Sequence, residues 1–164
     1  MQDIYVVGVG MTPFGKFRDK TIKDMTGEAV TAALSDAGVT ADRIDGAFFS
    51  NAVQGHMEGQ HMIRGEIALR EMGIQGIPVV NVENACASAS TGFKLAVDFL
   101  KAGNGDCCLA VGAEKMYSDD RALMFSAFDS GWDVSNGEEV ARRLADLGAG
   151  VEEPQGSKSP KPYS

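Results

Sequence analysis

The chain has 164 residues, 44% of them hydrophobic and 23% charged, with 20 glycines and only 5 prolines, the balance of one globular α/β domain and not of a disordered or fibrous chain. Its formal charge of −8 argues against the broad basic footprint that nucleic acid or an anionic membrane surface attracts, so an anionic ligand must meet cations that are local or supplied from elsewhere. No apolar run approaches the ~20 residues of a bilayer crossing and the start carries no secretion signal, which predicts a cytoplasmic location, or the peroxisomal matrix in a eukaryote.

The elements follow in chain order. "DIYVVGVG", residues 3–10, is a Val-rich apolar run closed by glycine and predicts a buried strand. "TIKDMTGEAVTAALSDAG" predicts an amphipathic helix. Thr21 caps it, Asp24 reaches back in a variant of the capping box, Ile22, Met25, Ala29, Ala33 and Ala37 recur on one face, and Gly38 stops it. "GAFFSN", residues 46–51, predicts a second strand. "GQHMIRGEIALREMG" predicts a second helix with Ile63, Ile67 and Met72 inward and Gly73 as terminator.

"IPVVNV", Ile77 to Val82, predicts a third buried strand, with Pro78 near its start where a missing N–H is tolerated. From about Ser88 to Ala102, Ala89, Phe93, Ala96, Val97 and Leu100 recur at helical spacing before Gly103, and "DCCLAVGAE" supplies a fourth strand. The order βαβαβαβ predicts a largely parallel sheet with helices on both faces, a three-layer α/β architecture. Residues 1–116 read as this core. Residues 117–150 have weak periodicity apart from a possible helix at 138–147, and residues 151–164 read as a linker or tail with almost no core-forming side chain.

Most of the reactive side chains have plain structural readings. The loop "GVGMTPFG" lacks the third glycine and the downstream acid of a dinucleotide fingerprint and reads as a glycine turn leaving a strand. His56 and His61, five apart, match no tight helical zinc pair, and no metal is expected. The three cysteines suit neither a disulfide framework nor zinc-ligand spacing. Cys107 and Cys108 fall mid-strand, where burial raises a thiol's pKa and leaves it inert.

Cys86 is the exception. In "NVENACASASTGF" it sits where the third strand ends and the third helix begins, among residues no larger than alanine and serine. The open N–H groups and positive dipole end of a helix favour a thiolate there and can bind a developing oxyanion. In an open parallel sheet this carboxyl edge of the strands is also where ligands bind.

On these motifs the chain resembles the N-terminal half of a thiolase. Gly59-Gln60 ahead of the cysteine, the N-x-x-C-x-S turn carrying Cys86 and Ser88, and G-x-E-x-M at Gly112, Glu114 and Met116 reproduce that family's order and spacing over roughly residues 4–116. The spelling "CASAS" is similar to the sterol-carrier-protein type and its lipid-transfer relatives rather than to acetoacetyl-CoA thiolases, and ketoacyl synthases rank second among relatives. The resemblance implies a degradative acyltransferase in which Cys86 attacks a 3-ketoacyl-CoA, fatty or steroid, with coenzyme A as substrate and no covalently bound cofactor.

The resemblance also implies a histidine, a second cysteine, a water-holding asparagine and a fifth strand supplied by a C-terminal half or second subunit beyond this chain. It further implies a homodimer paired through Ile77 to Val82. Two other readings stay open. One is a retro-aldolase acting on a β-hydroxyacyl-CoA with a small acyl-CoA-binding partner, and the other a non-catalytic lipid or acyl-CoA carrier.

Overall fold

In the computed structural model the described residues are 3–152 and Gly156, so the expected linker over 151–164 lies largely outside them. The chain divides into two compact units, Met1–Met124 and Phe125–Ser164.

The first unit is organised by helix α1, Ile22–Ala37, which begins and ends where its capping residues dictate. Thr21 Oγ1 accepts the Asp24 N–H at 3.1 Å, Asp24 Oδ2 accepts the Thr21 N–H at 2.7 Å, and Gly38 closes the helix in the left-handed region at φ 66°. Three parallel strands, β1 (Gly46–Ser50), β2 (Val79–Val82) and β3 (Cys108–Gly112), form a sheet in the order β2-β1-β3.

Every residue of the central strand β1 is buried, as a run of small and aromatic side chains without a charge permits. Alternation then assigns the two faces. Ala47, Phe49 and Leu109 pack toward α1 and α3 (Arg64–Arg70), while Phe48 and Cys108 pack with Ala96, Leu95 and Phe99 of α4 (Ser88–Lys101). Burying each large apolar side chain contributes about 1.5–3 kcal/mol, which explains why this part of the sheet sets the frame. The result is an α/β fold in which a parallel sheet is flanked by helices.

Where a buried third strand over Ile77 to Val82 is expected, β2 is a shorter edge strand only partly buried, with Val80 40% exposed, and four further sequence expectations need correction. Residues 3–10 join no strand ladder, and Tyr5, Val6, Val7 and Val9 are 63–75% exposed. They lie instead on α1, where Gly8 and Gly10 are required by close approach. A Cβ on Gly8 would meet Ala33 O at 2.3 Å, and one on Gly10 would meet Ala29 O at 2.1 Å. The Val9 N–H donates to Asp36 Oδ2. Between this segment and the outer edge of β3 is a cavity of about 640 Å³, lined also by Ala33, Phe93, Val97 and Leu100. An apolar run without a neighbouring strand cannot form a ladder, so its strand chemistry remains unused.

The long second helix is broken in two. Helix α2 (Gln54–Glu58) ends at Gly59, φ 76°, and α3 starts only after Ile63, which is left-handed at φ 47° and 57% exposed rather than inward. Gly65, Ala68 and Leu69 are the buried side of α3. The face of α4 is also rotated from its strongest apolar stripe. Ser88, Gly92 and Ala96 meet the sheet, whereas Ala89 and Phe93 are exposed. Finally, α5 (Arg121–Asp129) forms where no helix is expected, and in the second unit α6 (Gly137–Gly148) has no buried residue.

Candidate active site

The carboxyl ends of the three strands converge on one polar cluster. Where β1 ends, Asn51 Nδ2 donates to Ala113 O at 2.7 Å and to Glu114 Oε1 at 2.9 Å, tying β1 to the segment that follows β3. Asn51 Oδ1 accepts from Arg64 at 2.8 Å and from the Gln54 N–H at 3.0 Å. Glu114 also accepts the Ala52 N–H at 2.8 Å. Burial pushes its carboxyl above the usual range, opposed by the N–H groups of Ala52 and Val53 and by the Asn51 amide. Asn81 links β2 to α3 by accepting the Gly65 N–H at 2.7 Å and donating to Glu66.

Cys86 lies in the next turn of chain. It is exposed, in a short 3₁₀ turn (Ala85–Ala87) that leads directly into α4. The N-cap position of α4 is Ala87, which has no side-chain acceptor, so no side chain caps the first turn of this fourteen-residue helix, and the Ser88 N–H turns back to Ala85 O. The turn is strained. Ala85, immediately before the cysteine, is left-handed at φ 45°, a conformation that costs a residue with a Cβ about 1–2 kcal/mol and persists only where surrounding contacts impose it.

Those contacts are explicit. The Ala85 N–H donates to Glu83 Oε1 at 2.6 Å, and the Ala87 N–H donates to Asn84 O at 2.9 Å. Ser88 Oγ accepts the Asn84 N–H at 2.8 Å and donates to Ala85 O at 2.8 Å. Ser50, buried at the end of β1, donates to Ser88 O at 3.0 Å. Gly92 allows that approach, because a Cβ there would lie 2.5 Å from Ser50 Oγ.

The other thiols are placed differently. Cys107 and Cys108 are half-buried but not mid-strand as expected: Cys107 immediately precedes β3 and Cys108 opens it, and the Cys108 thiol donates to Gly46 O at 3.1 Å. Burial pushes Cys108 up to about 11, with Cys107 beside it adding to the rise. Burial, then Asp45, raises Cys107 as well. His61 packs against Gly55, His56 Nε2 is 3.3 Å from Leu123 O, and no group of three potential metal ligands occurs among the described residues.

Sequence reasoning located Cys86 and Glu114 but missed Ser50, Asn51 and the role of Ser88. The signal was the pair Ser50-Asn51 closing an otherwise apolar strand, since buried polar groups at a strand end must find partners.

The chain is similar to known proteins in sequence and fold. The thiolase N-terminal domain family matches residues 4–146. The non-specific lipid-transfer protein-like 2 of Caenorhabditis elegans is 36% identical over 157 residues, covering 88% of this chain and 37% of its own length. An acetyl-CoA acetyltransferase of Methanothermobacter thermautotrophicus is 33% identical over 139 residues, covering 84% of this chain and 36% of its own. The Acat5 thiolase of Ascaris suum, solved with coenzyme A, superposes with a TM-score of 0.61 at 17% identity over 73% of this chain and 33% of that one, a likeness of fold. The chain thus spans little more than a third of the length of these curated relatives.

Proposed function

The chain belongs to the thiolase family, whose N-terminal domain it carries, and from that membership we propose that it contributes the nucleophile of an acyl-CoA acyltransferase. The observation that carries the reading is the placement of Cys86: exposed, on a strained turn, at the uncapped mouth of α4. No helix among the described residues is long and apolar enough to cross a membrane.

In this reading the Cys86 thiolate adds to the ketone carbon of a 3-ketoacyl-CoA. The bond between that carbon and its α-carbon then breaks, and the electron pair leaves with the enolate of acetyl- or propionyl-CoA, which takes a proton from an acid. The shortened acyl group stays on the sulfur until the thiolate of coenzyme A displaces it and regenerates the Cys86 thiolate. Dividing the displacement this way replaces one difficult step by two easier ones. The first-turn N–H groups of α4 after Ser88, whose own N–H is taken by Ala85 O, are the donors this reading assigns to the oxyanion of each addition.

The proton-transfer groups come, in this reading, from a C-terminal portion comparable to the rest of the longer relatives. Two features support that origin. Residues 3–10 and the outer edge of β3 face each other across an apolar cavity with no ladder partner among the described residues, and Phe93 of α4, 50% exposed, lines the same space. We assign coenzyme A the role of substrate because it is bound in the Ascaris thiolase.

The test is brief iodoacetamide labelling at neutral pH with peptide mapping. Cys86 is expected to be carboxamidomethylated well ahead of Cys107 and Cys108, whose thiols burial raises. Equal or reversed labelling removes the nucleophile assignment. The name of the Caenorhabditis relative favours a second reading, a lipid carrier that breaks no bond. An acyl group trapped on Cys86 in the complete protein excludes the carrier. Ligand binding without an acyl-enzyme, unchanged in Cys86→Ser, excludes the transferase.

A further inference from the structure

We propose that Ser88 is a positioning residue for the Cys86 sulfur, its hydroxyl clamping Ala85 in the left-handed conformation from which the cysteine leaves the turn. The inference rests on the nucleophile reading above and adds to it a named device that holds the nucleophile.

The hydrogen bonds bracket the strained residue. One hydroxyl accepts from the Asn84 N–H and donates to Ala85 O, each at 2.8 Å, so it grips the backbone on both sides of the Asn84–Ala85 link. The Ser88 N–H adds a second bond to the same Ala85 carbonyl. Ser88 is itself 6% exposed and its carbonyl is held by Ser50 Oγ, on the strand that pairs with both other strands of the sheet. A continuous path therefore runs from the central, fully buried strand through Ser50 and Ser88 to the residue preceding the cysteine. Helix α4 does not need this hydroxyl as a conventional cap, since Ser88 is its first residue and its Oγ bonds backward into the turn.

An alanine at position 85 is what makes a clamp necessary. Glycine enters the left-handed region without penalty, whereas alanine must be held there. The hydroxyl at 88 and the Cβ at 85 are thus predicted to be coupled, and substitution of one changes the need for the other.

The experiment measures the second-order rate of iodoacetamide alkylation at Cys86 in folded protein, divided by the rate at the same cysteine in urea-unfolded protein, for the parent chain, Ser88→Ala, Ala85→Gly and the double variant. Thermal unfolding confirms that each is folded. Ser88→Ala is expected to lower the ratio about two- to fivefold, the size of a lost interaction between a charged group and a helix terminus. Adding Ala85→Gly should return it to within about twofold of the parent, because glycine needs no clamp. Ser88→Thr, which keeps the hydroxyl, should retain the parent ratio.

A Ser88→Ala ratio equal to the parent's overturns the proposal, and so does a double variant no faster than Ser88→Ala, because a purely stabilising serine would not be rescued by glycine at 85. If Ser88→Ala does not fold, Ser50→Ala with and without Ala85→Gly gives the same comparison. The nucleophile reading fails separately, through a parent ratio at or below unity, whatever the variants do relative to it.

Discussion

The seat of α4 on the sheet offers a quantitative test at Gly92. A methyl added there would lie 2.5 Å from Ser50 Oγ, and side-chain carbons do not approach closer than 3.0 Å, so the contact must open by at least half an ångström. Two routes are available. Ser50 can rotate and forfeit its bond to Ser88 O, leaving buried polar atoms unpaired at about 1–3 kcal/mol. Alternatively α4 can lift from β1, an overpacking cost of about 1–3 kcal/mol.

Either cost is set against the roughly 1 kcal/mol by which alanine outdoes glycine inside a helix. The expected net for Gly92→Ala is therefore about 0–2 kcal/mol of destabilisation. The decisive measurement is a double-mutant cycle in urea. In a Ser50→Ala background the obstructing oxygen is gone, so Gly92→Ala should recover its helical gain and stabilise the chain by about 1 kcal/mol. The coupling between positions 50 and 92 should then reach about 1–3 kcal/mol, well above the ~0.5 kcal/mol scatter of independent sites. Additivity within that scatter, or a parent-background Gly92→Ala variant that already gains the full alanine benefit, would refute the geometry.

Two further expectations concern α1 and β2. Hydrogen bonds from the Thr21 backbone N–H and hydroxyl hold the Asp24 carboxyl below its ordinary value of 3.8. A depressed carboxyl stabilises the fold at pH above its unfolded value and loses that contribution as pH falls through the folded one. The stability difference between the parent and Asp24→Asn, read by urea titration at a series of pH values, should therefore be constant near neutrality and shrink in the acid range below 3.8; a difference independent of pH down to full protonation would contradict the capping box. We also propose that the complete protein pairs two copies through the open edge of β2, where Val80 is 40% exposed. Val80→Lys, which puts a charge on an edge strand, should shift sedimentation from dimer to monomer, and an unchanged dimer would place the contact elsewhere.

The sequence by itself determined α1 with both of its caps, the positions of the three paired strands and the junction carrying Cys86, because each depends on local chemistry: a capping box, an apolar β run, a glycine stop, small residues before a helix. Residues 3–10 show the limit of that information. Their continuous apolar run and β-branched side chains specify strand chemistry, yet a strand is a pairing, and whether a partner lies at hydrogen-bonding distance is a property of the assembled sheet. The rotation of α4 was likewise undecidable locally, since its strongest apolar stripe faces the cavity while Ser88, Gly92 and Ala96 meet β1.

Tertiary structure alone decided how the nucleophile's turn is held. Ser50 and Ser88 are 38 residues apart in the chain, as Asn51 and Glu114 are 63 apart. No helical or strand period links positions so distant. Parallel pairing of β1 with β2 and β3 brings them to one edge, and there burial obliges each polar atom to take the other as its partner.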